Sequence, residues 1–461
     1  MEHRPLLHYE PPSGWLNDPN GLVFHDGEWH LCYQHHPHSL DWGPMHWGHA
    51  VSTDLMAWRD LPIALYPDDN GTVYSGCAVI DRRGTAGFGP GAMVAIYTQF
   101  TPATQVQSIA GSTDGGRTWQ AHPGNPVLRQ PDGVVDFRDP KVSWFGEPDD
   151  GHWSMVLAAG AGARFYASRD LVTWEPTGAF VPAQDRPHGV WETPDLFAPP
   201  VDGPPHERWV LTVGVLEHGP AGGSGTRYWT GGFDGATFTP DGVARWADHG
   251  ADFYAAQSWS DVADGRRIWI AWMSNWMYAA QVPATAARGQ LTLPRQVRLA
   301  ADGAGGWVLA QRPVDELSRH LGESRALDAT AVPLRTGAAR VRLRSHADGG
   351  GRSVVTVTAR DAHAQLIHDA AAGTVTLDRT GAAGIGQGFA GVHTAAVTSG
   401  DVVDLDVVID RSSIEVFADD GRACLTDLVV GLAGDGPVEV GVAGDAVVDA
   451  ELSHAEPADA G

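Results

Sequence analysis

The sequence of 461 residues predicts an all-β protein, in which a five-bladed β-propeller over residues 1–310 precedes a β-sandwich over residues 323–461. Two observations predict this architecture. A short motif that ends in an aromatic residue recurs along the first part of the chain, and all 18 Trp residues lie at or before Trp307. Strand-rich repeats of this length are typical of propeller blades, and the end of the Trp residues marks a second domain.

The repeat consists of Ser-x-Asp, a short turn and an aromatic residue, with looser forms in the last two copies. The closing aromatics are 55 to 69 residues apart, which is enough for one four-stranded antiparallel sheet with its loops. They are Trp58, Trp119, Trp174, Phe238 and Trp307. Five closing aromatics predict five blades.

Beyond the last Trp the pattern changes to alternating strands, such as 353–359 and 404–409, between turns rich in Gly, Asp and Ala. The segment is longer than the about 100 residues that a β-sandwich needs. A linker over residues 311–322 is expected to join the two domains, with a short helix at 314–321.

The composition excludes several classes of partner. The chain has 31 basic and 56 acidic residues, and a net charge of −25 repels nucleic acid and anionic membranes. No apolar run approaches the about 20 residues that cross a bilayer, and the N-terminus lacks the plan of a secretory signal, so we expect a cytoplasmic chain unless a leader has been removed. Three scattered Cys residues argue against a disulfide framework. A neutral ligand is expected.

Three carboxylates stand in similarly stiff settings. Asp18 and Asp139 directly precede a proline and Glu192 lies two residues before one, which suggests Pro-fixed turns that aim the side chains. Each acid lies 35 to 46 residues before the closing aromatic of its own blade. They should therefore converge on the inner strands around the propeller channel. Three aimed carboxylates predict acid/base and nucleophilic chemistry on a sugar.

The segments around these acids, WLNDPNG (15–21), FRDP (137–140) and WETPD (191–195), resemble the signature blocks of glycoside hydrolase family 32, the β-fructosidases. Further matching segments lie at 30–34, 47–50, 74–76, 252–255, 293–295 and 413–417. The resemblance implies a five-bladed propeller followed by a β-sandwich, which the repeat and the Trp boundary predict independently.

The resemblance also implies the roles of residues. Asp18 matches the family's nucleophile, Glu192 its acid/base, and Asp139 the acid that holds fructose hydroxyls and stabilises the transition state. The fructose pocket would be lined by six further residues: Asn17, Gln34, Trp42, Ser75, Arg138 and Trp276. Amides and Arg can bind furanose hydroxyls while indole covers the apolar face.

The implied reaction is the release of terminal β-D-fructofuranosyl units from fructans, levan or inulin, and the segments 43–50 and 74–76 look like microbial levanases and exo-inulinases. A sucrose-specific invertase is the nearest alternative. A fructosyltransferase of the levan fructotransferase type would use the same intermediate. A sugar-binding propeller without turnover would not need both Asp18 and Glu192, so their joint presence favours an enzyme.

The surroundings of Asp18 and Glu192 are expected to keep the first acid ionised and the second protonated. Asp18 would be held ionised by Asn17, and by Arg138 if it is close, whereas like charge would keep the proton on Glu192. Two positions depart from the family pattern: Thr193 stands where Cys is frequent, and Ala287 where Trp is usual. A Thr193 hydroxyl that reached Glu192 would shift the pH profile.

No metal or cofactor is predicted. The histidines between 30 and 49 cluster in sequence, but they lack companion Cys residues and the spacing of zinc sites. The acidic turn at 68–71 lacks the bidentate Glu that closes a calcium loop.

Overall fold

The structure, a computed structural model, describes residues 4–182, 189–204, 207–328, 331–347, 350–382, 384–386, 388–397, 401–432 and 436–456. Regular structure within these ranges is almost entirely β-strand, with two short 3-10 helices, Ala279–Gln281 and Asp315–His320. No helix in the described ranges is long and apolar enough to cross a membrane. The predicted all-β class, a propeller followed by a β-sandwich, is confirmed.

The first three sheets take their strands from consecutive segments and run as antiparallel meanders. The first sheet contains Gly14–His25, Glu28–His36, His46–Ser52 and Arg59–Leu65. The second contains Thr72–Asp81, Ala92–Thr101, Thr104–Ser112 and Gln120–Ala121. The third contains Phe137–Phe145, His152–Ala159, Ala163–Ser168 and Glu175–Phe180.

Two further sheets complete the propeller. The fourth contains Trp191–Phe197, Trp209–Val215 and Gly225–Phe233, with Phe238–Pro240 and Arg245–Trp246 both paired to its third strand. The fifth contains Tyr254–Ser258, Arg267–Trp272, Arg295–Ala301 and Trp307–Pro313. The short strand Ala287–Arg288 pairs in parallel with Gly14–His25, so the last part of the propeller is tied to the first.

The first strands of these five sheets surround a common channel. Each contacts the first strand of the next sheet, and Tyr254–Ser258 contacts Gly14–His25, which closes the ring. The bridge between Val23 and Ser260 is parallel, so the inner strands at this closure run in the same direction. Residues at equivalent positions on different inner strands therefore meet at the same depth of the channel.

The Ser-x-Asp repeat forms the turn between the third and fourth strands of a sheet. In the first sheet Asp54 Oδ1 accepts hydrogen bonds from Met56 N at 3.0 Å and Ala57 N at 2.8 Å. The corresponding turns are capped in the same way by Asp114, Asp170, Asp234 and Asp302. The carboxylate satisfies N–H groups that the turn leaves unpaired, which explains why the motif recurs with the sheets.

Two six-stranded antiparallel sheets form the β-sandwich. One contains Arg325–Ala326, Val447–His454, Ala339–His346, Val402–Asp410, Ser413–Ala418 and Ala423–Leu428. The other contains Val332–Leu334, Val438–Ala443, Arg352–Thr358, His363–Asp369, Thr374–Gly381 and Val392–Ala396. Buried and exposed residues alternate along most of these strands, and the buried faces form one apolar core. The predicted linker, 311–322, contains the end of the last propeller strand and the second 3-10 helix.

Buried charges join the propeller to the sandwich. Arg379 Nη1 of the sandwich donates to Asp252 Oδ2 of the propeller at 2.6 Å, and both side chains are fully buried. In a second pair the propeller supplies the cation and the sandwich the carboxylate: Arg295 Nη2 donates to Glu415 Oε2 at 2.5 Å. A buried charge that loses its partner costs several kcal/mol, so each domain supplies counter-charges that the other requires.

His8 belongs to the same interface. Its ring nitrogens lie 2.8 Å from Asp410 Oδ2 and 2.7 Å from Glu415 Oε1. Burial acts to lower the pKa of His8, but the two carboxylates outweigh it and raise the pKa from 6.5 to about 9. A raised pKa means that the imidazolium stabilises the fold fully below pH 6.5 and that this contribution is lost as the pH rises through about 9.

We therefore expect the melting temperature of the wild-type protein to fall more steeply between pH 6.5 and about 9 than that of a His8→Asn variant. Thermal unfolding at a series of pH values measures both slopes. The control is His363→Asn, which changes an exposed histidine and should leave the wild-type slope intact. Equal slopes for wild type and His8→Asn would contradict the interpretation.

Candidate active site

Each inner strand of the propeller carries a β-bulge near its start. Along the described inner strands, two residues lie opposite one residue of the second strand at the same point of every sheet. The bulged pairs are Asn17 and Asp18, Tyr74 and Ser75, Asp139 and Pro140, Thr193 and Pro194, and Ala255 and Ala256. Because a bulge interrupts the ladder and re-aims side chains, this shared irregularity brings polar groups from several strands to one place.

Pro140 and Pro194 lie within the bulges of their strands, and Pro19 directly follows the bulge of its strand. The sequence suggested turns, but Asp18, Asp139 and Glu192 all lie within strands. Proline has no N–H to give to a ladder, and it is tolerated where a bulge breaks the ladder. Asp139 and Thr193, which directly precede prolines, have φ of 62° and 46°. Such left-handed conformations are costly for residues other than Gly and are frequent at functional sites.

All nine predicted site residues line one cavity of about 270 Å³. They are Asn17, Asp18, Gln34, Trp42, Ser75, Arg138, Asp139, Glu192 and Trp276. The two aspartates are 7% and 5% exposed, whereas Trp42 is 49% exposed and stands edge-on to Tyr74. The cavity thus has buried acids at depth and an aromatic group at its rim.

Asp18 is held by two neutral donors. Asn17 Nδ2 donates to its Oδ1 at 2.9 Å, and Ser75 Oγ donates to its Oδ2 at 2.7 Å. Burial and then the nearby charge of Glu192 raise the pKa of Asp18 from 3.8 to about 6, although both hydrogen bonds act in the opposite direction. The predicted contact with Asn17 is present, but burial outweighs its effect on the pKa.

Arg138 lies against Glu192 and not against Asp18. Its Nη2 donates to Glu192 Oε1 at 3.0 Å, and its Nη1 donates to Asp136 Oδ1 at 2.8 Å. Arg138 and Glu192 each stand directly before the bulge of their own inner strand, and these two strands are neighbours in the ring. The strand of Asp18 is not adjacent to that of Arg138. The condition under which Arg138 was expected to hold Asp18 ionised, close contact between the two, is therefore not met.

Tyr254 completes the surroundings of Glu192. It stands directly before the bulge of the fifth inner strand, and its hydroxyl donates to Glu192 Oε2 at 2.6 Å. Both carboxylate oxygens of Glu192 are therefore engaged, one by a guanidinium and one by a phenol. Like charge alone was expected to act on this acid, and neither partner was predicted from the sequence.

Asp139 is the most crowded of the three acids. Thr193 N donates to its Oδ2 at 2.8 Å, and its own N–H donates to Thr98 Oγ1 at 2.9 Å. Burial raises its pKa most strongly, Arg138 lowers it, and the charges of Glu192 and Asp18 raise it, so that the pKa rises from 3.8 to about 7. Near neutral pH Asp139 is therefore only partly ionised, whereas an exposed aspartate would be fully ionised.

A buried polar cluster closes the channel beneath the cavity. Lys141 Nζ lies 3.0 Å from Asp195 Oδ2 and donates to Ser258 O at 2.6 Å and to Gln257 Oε1 at 3.3 Å. Lys141, Asp195 and Gln257 directly follow the bulges on their own strands. The cavity is consequently a pocket that is open at one end.

Within the described residues, no group of three or more His, Cys, Asp or Glu side chains is arranged to hold a metal ion. In the histidine cluster, His30 Nδ1 and His49 Nε2 lie 3.1 Å apart in the core. In the acidic turn, Asp68 Oδ1 accepts hydrogen bonds from Asn70 N and Gln99 Nε2. The three cysteines are buried and free.

Comparison with known families agrees with this geometry. Residues 8–313 match the N-terminal domain of glycosyl hydrolases family 32, and residues 312–442 match the C-terminal domain of the same family. The chain belongs to glycoside hydrolase family 32. The two matches meet at the end of the last propeller strand, Trp307–Pro313.

Family 32 relatives align with almost the whole chain. A levanase of Bacillus subtilis (strain 168) is 42% identical in an alignment of 457 positions that covers 93% of this chain and 66% of the levanase. The crystal structure of an exo-inulinase from Aspergillus awamori has a TM-score of 0.92 at 30% identity and 99% coverage of both chains. A β-fructofuranosidase from Schwanniomyces occidentalis, complexed with fructosyl-erythritol, has a TM-score of 0.88 at 28% identity, covering 98% of this chain and 97% of its own.

The two departures from the family 32 pattern lie in different places. Among the residues that the structure describes, buried Thr193 Oγ1 has no hydrogen-bond partner and packs next to Gly214, so the hypothesised contact with Glu192 is absent. Ala287 lines a separate cavity of about 400 Å³ beside Trp15. The indole that is usual at position 287 would therefore occupy space outside the pocket of the acids.

We expect Thr193→Val and Thr193→Cys to leave the pH profile of kcat/KM unchanged, because neither removes a hydrogen bond to Glu192. Tyr254→Phe is the matched comparison, since it removes a hydroxyl that does donate to this carboxylate. Its loss should lower kcat/KM, because one carboxylate oxygen of Glu192 loses the donor that fixes it. A pH profile that changes in Thr193→Val would show that the threonine hydroxyl reaches Glu192.

Four lining residues of the cavity were missed in the sequence, Tyr74, Phe100, Gln105 and Asp136, and so was Tyr254, which contacts Glu192. Tyr74 and Tyr254 lie in segments that resembled the family, so a signal was present although no role followed from it. Phe100 stacks on Tyr74 at 4.6 Å, and this contact between strands has no local signature. Gln105 and Asp136 both contact Arg138 and stand in sequence without a recognisable motif.

Proposed function

We propose that this family 32 protein is a retaining, exo-acting β-fructosidase that releases terminal β-D-fructofuranosyl units from levan and inulin, with sucrose as a secondary substrate. One observation carries the proposal. Asp18 and Glu192 line the same one-ended pocket, with different partners: neutral donors hold Asp18, and a guanidinium and a phenol hold Glu192. The levanase and exo-inulinase relatives support fructans as substrates.

In the first step Asp18 acts as the nucleophile. With a pKa of about 6 it is mostly ionised at neutral pH, and one carboxylate oxygen attacks C2 of the terminal fructose. The bond from C2 to the glycosidic oxygen breaks, its electron pair stays on that oxygen, and Glu192 supplies the proton. A fructosyl ester of Asp18 results, which requires the two carboxyl groups to lie about 5 to 5.5 Å apart.

In the second step the roles of proton donor and acceptor are exchanged. The carboxylate of Glu192 takes a proton from a water molecule, and the water oxygen attacks C2. The ester bond breaks and returns the carboxylate to Asp18. Two inversions at C2 leave the configuration of the released fructose unchanged.

The other predicted residues bind the sugar. Asp139 and Arg138 would hold fructose hydroxyls, because a carboxylate accepts and a guanidinium donates. Gln34 is fixed by hydrogen bonds from its Nε2 to Asn20 Oδ1 at 2.9 Å and Val73 O at 3.1 Å, so its carbonyl oxygen is oriented for a hydroxyl. Trp276 stacks on Trp15 at 6.1 Å, which places an indole on the wall of the pocket.

The size of the pocket favours the end of a chain over its middle. A volume of about 270 Å³ lies just below the range for small-molecule sites, about 300 to 1,000 Å³. The channel beneath is closed by Lys141 and Asp195, so no polymer can pass through. A fructan should therefore enter by its tip and lose one residue at a time.

Chromatography of early digests tests this proposal. We expect fructose to be the only low-molecular-mass product from levan and inulin in the first minutes, and sucrose to yield glucose and fructose. Oligofructosides as first products would indicate endo-cleavage instead. Longer fructo-oligosaccharides from concentrated sucrose, or a difructose anhydride from levan, would indicate a transferase. Turnover of sucrose without any turnover of fructans would indicate an invertase.

A further inference from the structure

Trp42 stands at the mouth of the catalytic pocket on a loop, residues 37–45, that joins the strands Glu28–His36 and His46–Ser52. Its side chain is 49% exposed and touches the ring of Tyr74 edge-on, with 6.4 Å between the ring centroids. A side chain with so little buried apolar contact is weakly fixed by its own packing. The position of this indole therefore depends on what holds the loop.

Arg288, from a distant part of the propeller sequence, holds this loop. Its Nη1 donates to Leu40 O at 3.0 Å and to Asp41 Oδ1 at 2.8 Å, on the two residues that directly precede Trp42. Its Nε donates to Val282 O at 2.9 Å. Hydrogen bonds from a guanidinium are stronger than those between neutral groups. One side chain thus ties the loop to a segment of the chain more than 240 positions away.

Arg288 is itself well fixed. Its backbone belongs to the strand Ala287–Arg288, in which it pairs with Trp15 of the first inner strand. The next residue, Gly289, approaches that strand so closely that a Cβ atom would lie 2.1 Å from Leu16 O. The Arg288 side chain is 16% exposed. A residue on a rigid element and with a buried side chain is suited to position another group.

The loop has two further contacts that bear on Trp42. Before this residue, His36 Nδ1 lies 2.9 Å from Asp41 O, a local contact that shapes the turn. After it, Met45 is buried, and its carbonyl oxygen accepts a hydrogen bond from Val73 N at 3.0 Å. The guanidinium therefore supplies the long-range attachment on the N-terminal side of the indole.

We propose that Arg288 is a positioning residue for Trp42 and thereby sets the affinity for the sugar at the mouth of the pocket. Arg288 is not among the described residues that line the pocket, so it acts through the loop. The acids lie at depth and the indole at the rim, so loss of the attachment should weaken substrate binding more than bond cleavage. This inference rests on the fructan and sucrose substrates proposed above.

Steady-state kinetics of Arg288→Met on levan and sucrose test the proposal. We expect KM to rise roughly three- to tenfold, as for one weakened aromatic contact, while kcat stays within about twofold. Arg340→Met is the matched control, because Arg340 pairs with Asp406 on the sandwich and its side chain is 12% exposed. It should change neither constant. A fall in kcat with unchanged KM in Arg288→Met would indicate an effect on the strand of Asp18 and would overturn the proposal.

A double variant shows whether the effect passes through the indole. Trp42→Ala should raise KM at least as much as Arg288→Met does. Adding Arg288→Met to Trp42→Ala should then change KM no further, because the group that Arg288 positions is already gone. Effects on KM that multiply in the double variant would mean that Arg288 acts on the substrate by another route, which overturns the proposal.

A measurement on the free protein separates this inference from the proposed activity. With 15N-labelled tryptophan, each of the 18 indoles gives one N–H signal, and the signal lost in Trp42→Phe belongs to Trp42. We expect this signal to shift or broaden in Arg288→Met and to stay unchanged in Arg340→Met. An unchanged signal in Arg288→Met overturns the proposal even if fructans are cleaved. If the wild type released no fructose, the proposed activity would fail, and the signal would still decide the role of Arg288.

Discussion

Asp18→Asn and Glu192→Gln should each lower kcat on levan and sucrose by at least about 1,000-fold while the fold stays intact, because each removes a step that a covalent route requires. Without the Asp18 carboxylate no ester forms. Without Glu192 the leaving oxygen receives no proton and the attacking water loses none. Steady-state kinetics measure the loss, and circular dichroism with thermal unfolding checks the fold.

Asp136→Asn is the matched control for this prediction. Asp136 lines the same cavity and contacts Arg138 at 2.8 Å, but it lies outside the bulges and has no assigned part in either step. Its replacement should cost about tenfold or less, through the position of Arg138. If either Asp18→Asn or Glu192→Gln kept more than about a tenth of wild-type activity, the assignment would be wrong.

Removal of the sandwich should abolish a stable propeller. A chain cut after Leu321 keeps the last propeller strand and the second 3-10 helix, but it loses Arg379 and Glu415. Asp252 and Arg295 would then be exposed together with the apolar surface that surrounds them. We expect insoluble protein, or soluble protein that melts far below wild type, since domains have only about 5 to 15 kcal/mol of stability.

A single substitution tests the same interface without deleting a domain. Arg379→Met leaves Asp252 and Asp427 buried without their shared cation and should cost about 3 to 5 kcal/mol in the free energy of unfolding. Arg344→Met is the control, because Arg344 and its partner Asp449 are both about half exposed, and such pairs contribute about 1 kcal/mol or less. Equal effects of the two substitutions would show that the buried pair stabilises the protein no more than an exposed pair does. A truncated propeller of normal melting temperature would show that the sandwich is dispensable.

The sequence predicted those features that depend on local chemistry. Asp54 and its counterparts cap turns within a few residues, so the repeat was visible and gave the size of the sheets. Asp18 and Asp139 were visible because a proline follows each. Once the inner strands were assumed to surround a channel, convergence of the acids followed, and the structure places all nine predicted residues around one cavity.

The features that escaped prediction depend on how strands are arranged in space. The bulges come from register between strands, and the sequence alone made them look like turns. Arg138 contacts Glu192 because their strands are neighbours and both residues stand directly before a bulge. The pair of Arg379 and Asp252 joins residues 127 positions apart, and no local pattern connects them.

The covalent route is tested most directly by trapping the fructosyl ester. A β-fructofuranosyl fluoride needs no proton on its leaving group, so Glu192→Gln should complete the first step with it but lack the base for the second. After an acid quench and digestion, mass spectrometry should find one fructosyl unit on the peptide that contains Asp18, and none in an Asp18→Asn, Glu192→Gln double variant. An adduct on the peptide that contains Asp139, or consumption of the fluoride by Glu192→Gln without any adduct, would contradict the account.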